Sequence, residues 1–156
     1  MKKFFYLFAL TSLFAGAALI NSYAADKASK RESVVLVKVF DGDTIQATIG
    51  KKVVKIRLAD IDCAEKTKKS RRLPKQSEEW KASEKEIIEQ GRESAEKLDA
   101  LLKLHKENIT FVETPEKVCK IGNGDRLVGI LYADDINVNE FMLKEGKCKP
   151  FTCTDK

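Results

Sequence analysis

Residues 33–58 form three strand-like runs separated by short turns. Ser33 to Phe40 is rich in β-branched residues, Thr44 to Ile49 continues the pattern, and Lys52 to Leu58 alternates apolar with charged side chains. Such alternation is typical of half-buried strands, and the Gly50-Lys51 turn joins the last two runs. The pattern therefore predicts three strands in a meander.

The period becomes helical from about Glu84. Apolar residues then share one stripe with charged residues opposite, which predicts an amphipathic helix. The stripe is formed by Ile87, Ile88, Ala95, Leu98, Leu101, Leu102 and Leu104. His105, the single histidine, falls at the end of this helix. We interpret it as a solvated terminal residue rather than a catalytic base.

Two further strands and a second helix follow. Asn108 to Glu113 and Arg126 to Tyr132 are strand-like, and Asn137 to Gly146 predicts a short helix ended by glycine. Five short strands with a helix between the third and the fourth predict a mainly β protein with helices (α+β), a five-stranded OB-fold barrel. The face of such a barrel binds nucleic acids or sugars. On pattern alone, a mixed α+β sandwich is the alternative.

Residues 59–83 have no clear period, and we predict that they form a long loop, of the kind that is often functional. Ten successive positions of this segment hold six basic residues and no acid: Lys66, Lys68, Lys69, Arg71, Arg72 and Lys75. We interpret this run as a nucleic-acid-binding loop in which Lys68, Lys69, Arg71 and Arg72 contact the polyanion. A solvated loop without a ligand is the alternative.

The first 24 residues differ from the rest. Two lysines precede an apolar run, and Ser22-Tyr23-Ala24 has the small residues of a signal-peptidase site. We therefore predict a signal peptide at 1–24, a polar tail at 25–32 and a folded domain at 33–156. The protein would be secreted or periplasmic, and it would be membrane-bound only if the segment is kept as an anchor.

Export changes the interpretation of charge and cysteine content. Loss of the signal removes two lysines and lowers the formal net charge from +5 to +3, which by itself identifies no partner. An even number of cysteines in an exported chain indicates disulfides, in one of three connectivities. Their spacings do not match a zinc motif. The cysteines are Cys63, Cys119, Cys148 and Cys153.

Carboxylates collect at one end of the predicted hairpin. Asp41 and Asp43 precede the second strand in FDGDT, and Asp62 and Glu65 follow the third. The hairpin brings Asp43 near Asp62, where like charges repel. A hard divalent cation relieves that repulsion, and Ca²⁺ is the usual one in exported proteins. The alternative is that the acids cap the barrel rim and pair with lysines.

Two blocks of sequence carry a resemblance to a known family. VFDGDTIQATIGKKVVKIRLADIDCAE and GDRLVGILYADDINVNEFMLKEG are similar to the two halves of staphylococcal nuclease (thermonuclease) family domains, over most of residues 33–150. DGDT alone is a weak signal, whereas an ordered set of five residues is specific: Asp43, Arg57, Asp62, Glu65 and Arg126. The resemblance implies a Ca²⁺-dependent nuclease that acts on DNA and RNA and leaves 3′-phosphate ends. We expect a monomer with no stable protein partner.

The resemblance also implies a metal site. Asp43 and Asp62 correspond to the carboxylates that bind Ca²⁺, and the main-chain carbonyl of Cys63 corresponds to a third ligand. Asp41 corresponds to an acid that lies behind these ligands. The ligand at Cys63 is backbone, so a cysteine side chain there is compatible with the site.

Catalytic roles are implied for three further residues. Glu65 corresponds to the carboxylate that positions or deprotonates the attacking water, and Arg57 and Arg126 correspond to the guanidiniums that hold the phosphate. General chemistry supports these roles, because a planar guanidinium matches phosphate oxygens bidentately and a carboxylate can act as general base.

The chain departs from the family pattern at several positions. Gly124-Asp125 replaces Lys-Tyr, Ala64 replaces a proline, and Phe151 is the only aromatic residue where pocket tyrosines are expected. We therefore expect weaker base stacking. By superposition on the family fold we favour Cys119–Cys153 and Cys63–Cys148 disulfides. A Cys148–Cys153 loop or a free Cys63 is the alternative.

Two other functions remain possible at this point. One is a non-catalytic nucleic-acid-binding domain of the same fold, and the other is an exported domain that binds Ca²⁺ or an oligosaccharide. The full set of acids, together with Arg57 and Arg126, favours the enzyme.

Overall fold

The five predicted strands are present, and they close into a barrel. The computed structural model describes residues 30–114 and 126–151. Three additional strands have two residues each. In chain order the strands are β1 (Glu32–Val39), β2 (Thr44–Ile49), β3 (Lys52–Leu58), β4 (Ile61–Asp62), β5 (Ile109–Glu113), β6 (Arg126–Ala133), β7 (Ile136–Asn137) and β8 (Lys149–Pro150).

A parallel pairing closes the barrel. The sheet order is β3-β2-β1-β5-β6-β7, and β3 also pairs with β6. Lys55 lies opposite Arg126 and Leu58 lies opposite Gly129 in that pair, whereas the other neighbours in this sheet are antiparallel. The predicted α+β fold with an OB-type barrel is confirmed.

The alternation of β2 and β3 decides which side chains enter the barrel. Ile45 and Ala47 of β2, and Ile56 and Leu58 of β3, are fully buried, while Arg57 between the last two points to the other side. Phe111 of β5 is buried in the same core. Removing these apolar groups from water stabilises the barrel by about 25 cal/mol for each Å² buried.

The predicted amphipathic helix is α2 (Glu84–Leu104). It begins at a capping box in which Ser83 and Glu86 bond each other's backbone N–H groups. Leu98, Leu101 and Leu102 of its apolar stripe pack in the barrel core, and Ile87 and Ile88 pack in a second cluster with Ala64 and Leu73. Leu104 is 77% exposed, so it does not share the buried face that the stripe predicted. His105 ends the helix as predicted, but its ring is only 20% exposed and bonds Asp134.

The prediction of an unbroken loop at 59–83 was wrong. Leu73–Trp80 forms a short helix, α1, with Pro74 in its first turn, where the missing N–H costs nothing. Leu73 and Gln76 face inward, and α1 packs against α2. The remaining helix, α3 (Val138–Lys144), lies where the sequence predicts it.

Some predictions fall outside the described residues: the signal peptide, the Gly124-Asp125 substitution and the Cys119–Cys153 bridge. Within residues 30–114 and 126–151, no helix is both long and apolar enough to cross a membrane.

Candidate active site

The hairpin of β2 and β3 brings the first two candidate residues together. Asp43 immediately precedes β2, and the register places Thr44 opposite Arg57. The main-chain carbonyl of Asp43 accepts a hydrogen bond from the N–H of Leu58 at 2.8 Å. The short strand β4 then returns Asp62 to the same point. Asp43 and Asp62 are thereby brought to one side chain, that of Arg57.

Arg57 is the positive group between the two acids. Its Nη1 donates to Asp43 Oδ1, and its Nη2 donates to Asp62 Oδ1 at 3.2 Å and to the Ile61 carbonyl at 3.2 Å. Burial alone would lower the pKa of Arg57, but Asp43 and Asp62 raise it above its ordinary value. Arg57 thus remains charged, and an arginine rather than a lysine separates the carboxylates in this structure.

Asp43 is almost completely buried, with 2% exposure. Its Oδ2 accepts the N–H of Cys63 at 2.8 Å, and its Oδ1 accepts the hydroxyl of Thr44 at 2.9 Å. Asp41 lies directly behind it and accepts the N–H of Asp43 at 3.2 Å. Burial raises the pKa of Asp43 to about 7, a rise that Arg57 opposes and Asp41 increases.

Asp62 receives four side-chain N–H groups. Arg57 Nη2 and Arg72 Nε approach Oδ1 at 3.2 and 3.4 Å, and Arg72 Nη2 and Gln76 Nε2 approach Oδ2 at 2.8 and 3.1 Å. The hydrogen bond to Asp62 is the main reason that the pKa of Arg72 is raised. Both oxygens of Asp62 are therefore occupied by donors from β3 and from the start of α1.

The structure divides the four predicted nucleic-acid contacts into two groups. Lys68, Lys69 and Arg71 are exposed on the segment between Glu65 and α1. Arg72 instead turns inward to Asp62 and also contacts Glu79 at 3.3 Å. Only the first three are free to contact a polyanion without breaking an ion pair that the structure contains.

Glu65 lies beside the cluster on the segment that follows β4. Burial raises its pKa, a hydrogen bond with Ser70 opposes the rise, and the charges of Asp43 and Asp62 add to it. The segment lies directly against α2 at Gly91, where a Cβ atom would come within 2.5 Å of the Ala64 carbonyl oxygen. A glycine at this position allows Glu65 to approach the other acids.

Arg126 begins β6, on the strand that closes the barrel against β3. It lies opposite Lys55 in the parallel register, so it is on the same side of the barrel wall as Arg57. Strand spacing places the two Cα atoms roughly 8 Å apart. Side chains of this length can reach one ligand from both positions.

The end of the described chain returns to the site. A disulfide joins Cys63 to Cys148, which confirms that predicted pair. β8 pairs with β4, so that Asp62 lies opposite Lys149, and the N–H of Phe151 donates to the Asp60 carbonyl at 2.9 Å. Lys149 Nζ lies 4.3 Å from the centre of the Trp80 ring, a cation–π contact that links this segment to α1.

The oxygen atoms near Asp43 and Asp62 are of the type that binds a hard cation, but they are fewer than the ligands that Ca²⁺ takes. Two buried carboxylates supply the oxygen ligands that Ca²⁺ prefers, and the Cys63 carbonyl oxygen, already an acceptor from Gln76 Nε2 at 2.8 Å, keeps a second lone pair. In the described ranges, no three His, Cys, Asp or Glu side chains are close enough to share a metal. Asp43 Oδ2, which accepts the Cys63 N–H, keeps a lone pair for a cation, whereas both oxygens of Asp62 contact arginine side chains that a cation would have to compete with.

The closed barrel, with acids and arginines in contact beside the β2–β3 hairpin, places the protein in the OB-fold class. Comparison with known families identifies the chain within that class: residues 55–155 match the profile of the staphylococcal nuclease homologue family, and the chain belongs to this family.

Two curated relatives share one name. Each is an "Uncharacterized endonuclease", one from Escherichia coli O157:H7 and one from Escherichia coli, and each is 29% identical over 112 residues. The match covers 71% of this chain but only 56% of each relative, so the chain spans little more than half of their length.

The sequence did not predict that Gln76 and Arg72 would contact Asp62. Both lie at or beside the start of α1, where Leu73, Gln76 and Trp80 repeat at helical spacing beside a proline. That spacing was the available signal. It was obscured because the flanking residues are mostly charged.

Proposed function

We propose that this protein is a nuclease that hydrolyses phosphodiester bonds in DNA and RNA and leaves 3′-phosphate ends. The observation that carries the proposal is the bridge that Arg57 forms between Asp43 and Asp62, with Glu65 beside it. Membership of the nuclease family and similarity to two proteins named endonucleases support this class of reaction.

In this proposal the arginines bind the phosphate that is attacked. Negative charge develops on the equatorial oxygens of the phosphoryl group, and guanidinium groups bind such oxygens in pairs. Arg57 and Arg126 project from the same side of neighbouring strands, which supports their joint action on one phosphate. Arg57 would exchange a carboxylate contact for a phosphate contact when substrate binds.

Glu65 is the proposed general base. A general base must be unprotonated before attack and basic enough to accept the proton of the water during attack. A pKa near the working pH balances these two requirements. Burial raises the pKa of Glu65 in that direction. The Ser70 hydrogen bond and the main-chain bond to Gln76 would hold this carboxylate in place while it orients the water.

We propose further that Asp43, Asp62 and the Cys63 carbonyl hold Ca²⁺, with Asp41 behind them. When bound, the cation would stabilise the charge on the phosphate as a Lewis acid. The raised pKa of Asp43 supports this assignment, because a buried carboxylate of that kind gains most from a nearby positive charge.

The exposed Lys68, Lys69 and Arg71 support binding to the nucleic-acid backbone, and the Cys63–Cys148 disulfide supports export to an oxidising compartment. A non-catalytic nucleic-acid-binding domain of the same fold is the second candidate. The observation that favours it is that Arg72 contacts both oxygens of Asp62, a proposed cation ligand.

The test is degradation of supercoiled plasmid and of single-stranded RNA by the purified protein with Ca²⁺, with Mg²⁺ and with excess chelator. We expect cleavage with Ca²⁺, no cleavage with chelator, and products that a polymerase extends only after phosphatase treatment. Asp43→Asn is the inactive control. Full activity in chelator would contradict the metal site, and a gel shift without cleavage would identify the non-catalytic alternative.

A further inference from the structure

Gln76 is a completely buried amide on α1, and its partners all belong to the segment that carries the candidate catalytic acids. Its Nε2 donates to Asp62 Oδ2 at 3.1 Å and to the Cys63 carbonyl at 2.8 Å. Its Oε1 accepts the N–H of Glu65 at 2.9 Å. One planar group therefore bonds three of the four residues from 62 to 65.

The chemistry of these partners fixes the orientation of the amide. The Glu65 N–H can only donate, so it must face the Gln76 oxygen, and the Cys63 carbonyl can only accept, so it must face the nitrogen. Glutamate in this place would direct an oxygen at both the Cys63 carbonyl and Asp62. An apolar side chain would remove the side-chain partner of the Cys63 carbonyl and of the Glu65 N–H, which is costly, while Asp62 would keep Arg57 and Arg72 as donors.

These contacts set the spacing between two groups with different proposed roles. Asp62 is a proposed cation ligand and Glu65 is the proposed base, and they are separated by Cys63 and Ala64, both buried. Arg72 also bonds Asp62 and interacts with the charge of Glu65, but the described residues show no hydrogen bond between Arg72 and Glu65. Gln76 is thus the side chain that connects the two acids.

We propose that Gln76 is a positioning residue for phosphodiester hydrolysis: it fixes Asp62 and Glu65 relative to each other through both ends of its amide. The inference rests on the proposed nuclease function. A purely structural role, in which Gln76 only holds α1 on the barrel, makes a different prediction, because it would affect stability without affecting turnover.

Asn139 provides a matched control. It is also a buried amide, with 6% exposure, and it also bonds three groups: its Nδ2 donates to the carbonyls of Ala59 and Gly129, and its Oδ1 accepts the N–H of Leu131. It contacts none of the proposed catalytic residues. Gln76→Met and Gln76→Glu can therefore be compared with Asn139→Leu and Asn139→Asp.

Three measurements on each full-length variant test the proposal: Tm, steady-state cleavage of single-stranded DNA well below Tm, and amide hydrogen exchange at Glu65. We expect Gln76→Met to lower kcat by about 10–100-fold, the usual effect of removing a partner that orients a functional group. KM should change less than kcat. Exchange at Glu65 should accelerate in Gln76→Met and stay closer to wild type in Gln76→Glu, which keeps an acceptor.

The control variants should lower Tm but leave kcat and the Glu65 exchange rate near wild type. The proposal is overturned if Gln76→Met retains wild-type kcat, or if the Asn139 variants lose as much kcat at equal Tm loss. The proposal would also be overturned if neither Gln76 variant folds while both Asn139 variants do, because Gln76 would then have a structural role. If wild-type protein cleaves nothing, the proposed function fails, and Glu65 exchange alone decides whether Gln76 orders the segment.

Discussion

Asp43 illustrates at the scale of one residue how burial and charge compete. FDGDT resembles an ordinary turn, yet Gly42 does not take a left-handed conformation. Glycine is needed at this position because a Cβ atom would come within 2.8 Å of Cys63 Cβ. The turn is therefore packed under the site, and Asp43 is buried with it. Asp43 must be neutralised by Arg57, by a proton or by a cation.

We expect the metal-free protein to lose stability as the pH rises from about 4 to about 7. The pKa of Asp43 is about 7 in the folded protein and 3.8 ordinarily, so in this window the folded state holds a proton that the unfolded chain has released. Protonation of Asp43 contributes on the order of a few kcal/mol to the free energy of unfolding. This contribution is complete below the ordinary pKa and is lost as the pH rises through the folded-state pKa.

Urea unfolding in chelator at several pH values measures this effect. Asp43→Asn should flatten the pH dependence, whereas Asp135→Asn, at an exposed acid, should leave it as in wild type. Equal pH slopes for wild type and Asp43→Asn would contradict the assignment.

We expect Arg57→Ala, Arg126→Ala and Glu65→Gln each to lower kcat by about 10²–10³-fold, because each removes a group that would act on the transition state. Cleavage of single-stranded DNA at saturating Ca²⁺ measures this, with circular dichroism to verify folding. Arg92→Ala, at an exposed arginine of α2, is the control. Near-wild-type turnover of any of the three would exclude that residue from the mechanism.

At the scale of elements, the sequence predicted the strands and helices whose apolar residues recur with a clear period. The three strands of the meander and the stripe of α2 follow from alternation and from a 3.6-residue repeat. Helix α1 has eight residues, of which only Leu73 and Gln76 are buried, so its inward-facing repeat is short and is a weak signal among charged neighbours. The contacts that α1 makes with Asp62 could not be predicted, because they depend on how α1 packs against α2.

The basic segment before α1 should act on substrate binding and not on turnover. Replacing Lys68, Lys69 and Arg71 with alanine should raise KM for long duplex DNA. It should also reduce the slope of the salt dependence, by about 0.9 for each DNA phosphate that the variant no longer neutralises. The control replaces Lys51 and Lys52, exposed at the β2–β3 turn. An unchanged slope would show that the segment is a solvated loop without a ligand.

Arg72→Ala should behave differently, because Arg72 occupies both oxygens of Asp62. Its removal should make these oxygens available and increase Ca²⁺ affinity, as measured by calorimetry, while the salt slope changes little. Gln76 remains as a donor to Asp62 in this variant. Weaker Ca²⁺ binding by Arg72→Ala would indicate that the arginine supports the metal site instead of competing with it.

At the scale of the whole molecule, the closed barrel was predictable, but the strand register that closes it was not. Five strands and a helix in this order favour an OB-fold. The parallel pairing of β3 with β6 joins residues that are far apart in the sequence, such as Lys55 and Arg126, and no local pattern encodes it. The antiparallel pair of β4 and β8 also joins distant residues and is too short to be recognised in the sequence.

The Cys63–Cys148 disulfide strengthens that long-range link, and we expect its removal to affect both stability and activity. The bridge closes a loop with a sequence separation of 85, for which chain entropy predicts about 4–5 kcal/mol of stabilisation. The Cys63→Ala/Cys148→Ala double variant should lose about that much in urea unfolding. Its kcat should also fall, because the backbone N–H of Cys63 supports Asp43.

Peptide mapping of the unreduced protein is the accompanying control. It should recover a fragment that links Cys63 to Cys148, and it also tests the predicted Cys119–Cys153 bridge, which lies outside the described residues. An internally linked 148–153 fragment, or a Cys63 that alkylates without reduction, would contradict the pairing. Unchanged kcat in the double variant would instead show that the pairing of β4 with β8 holds Asp62 and the Cys63 N–H in place without the covalent link.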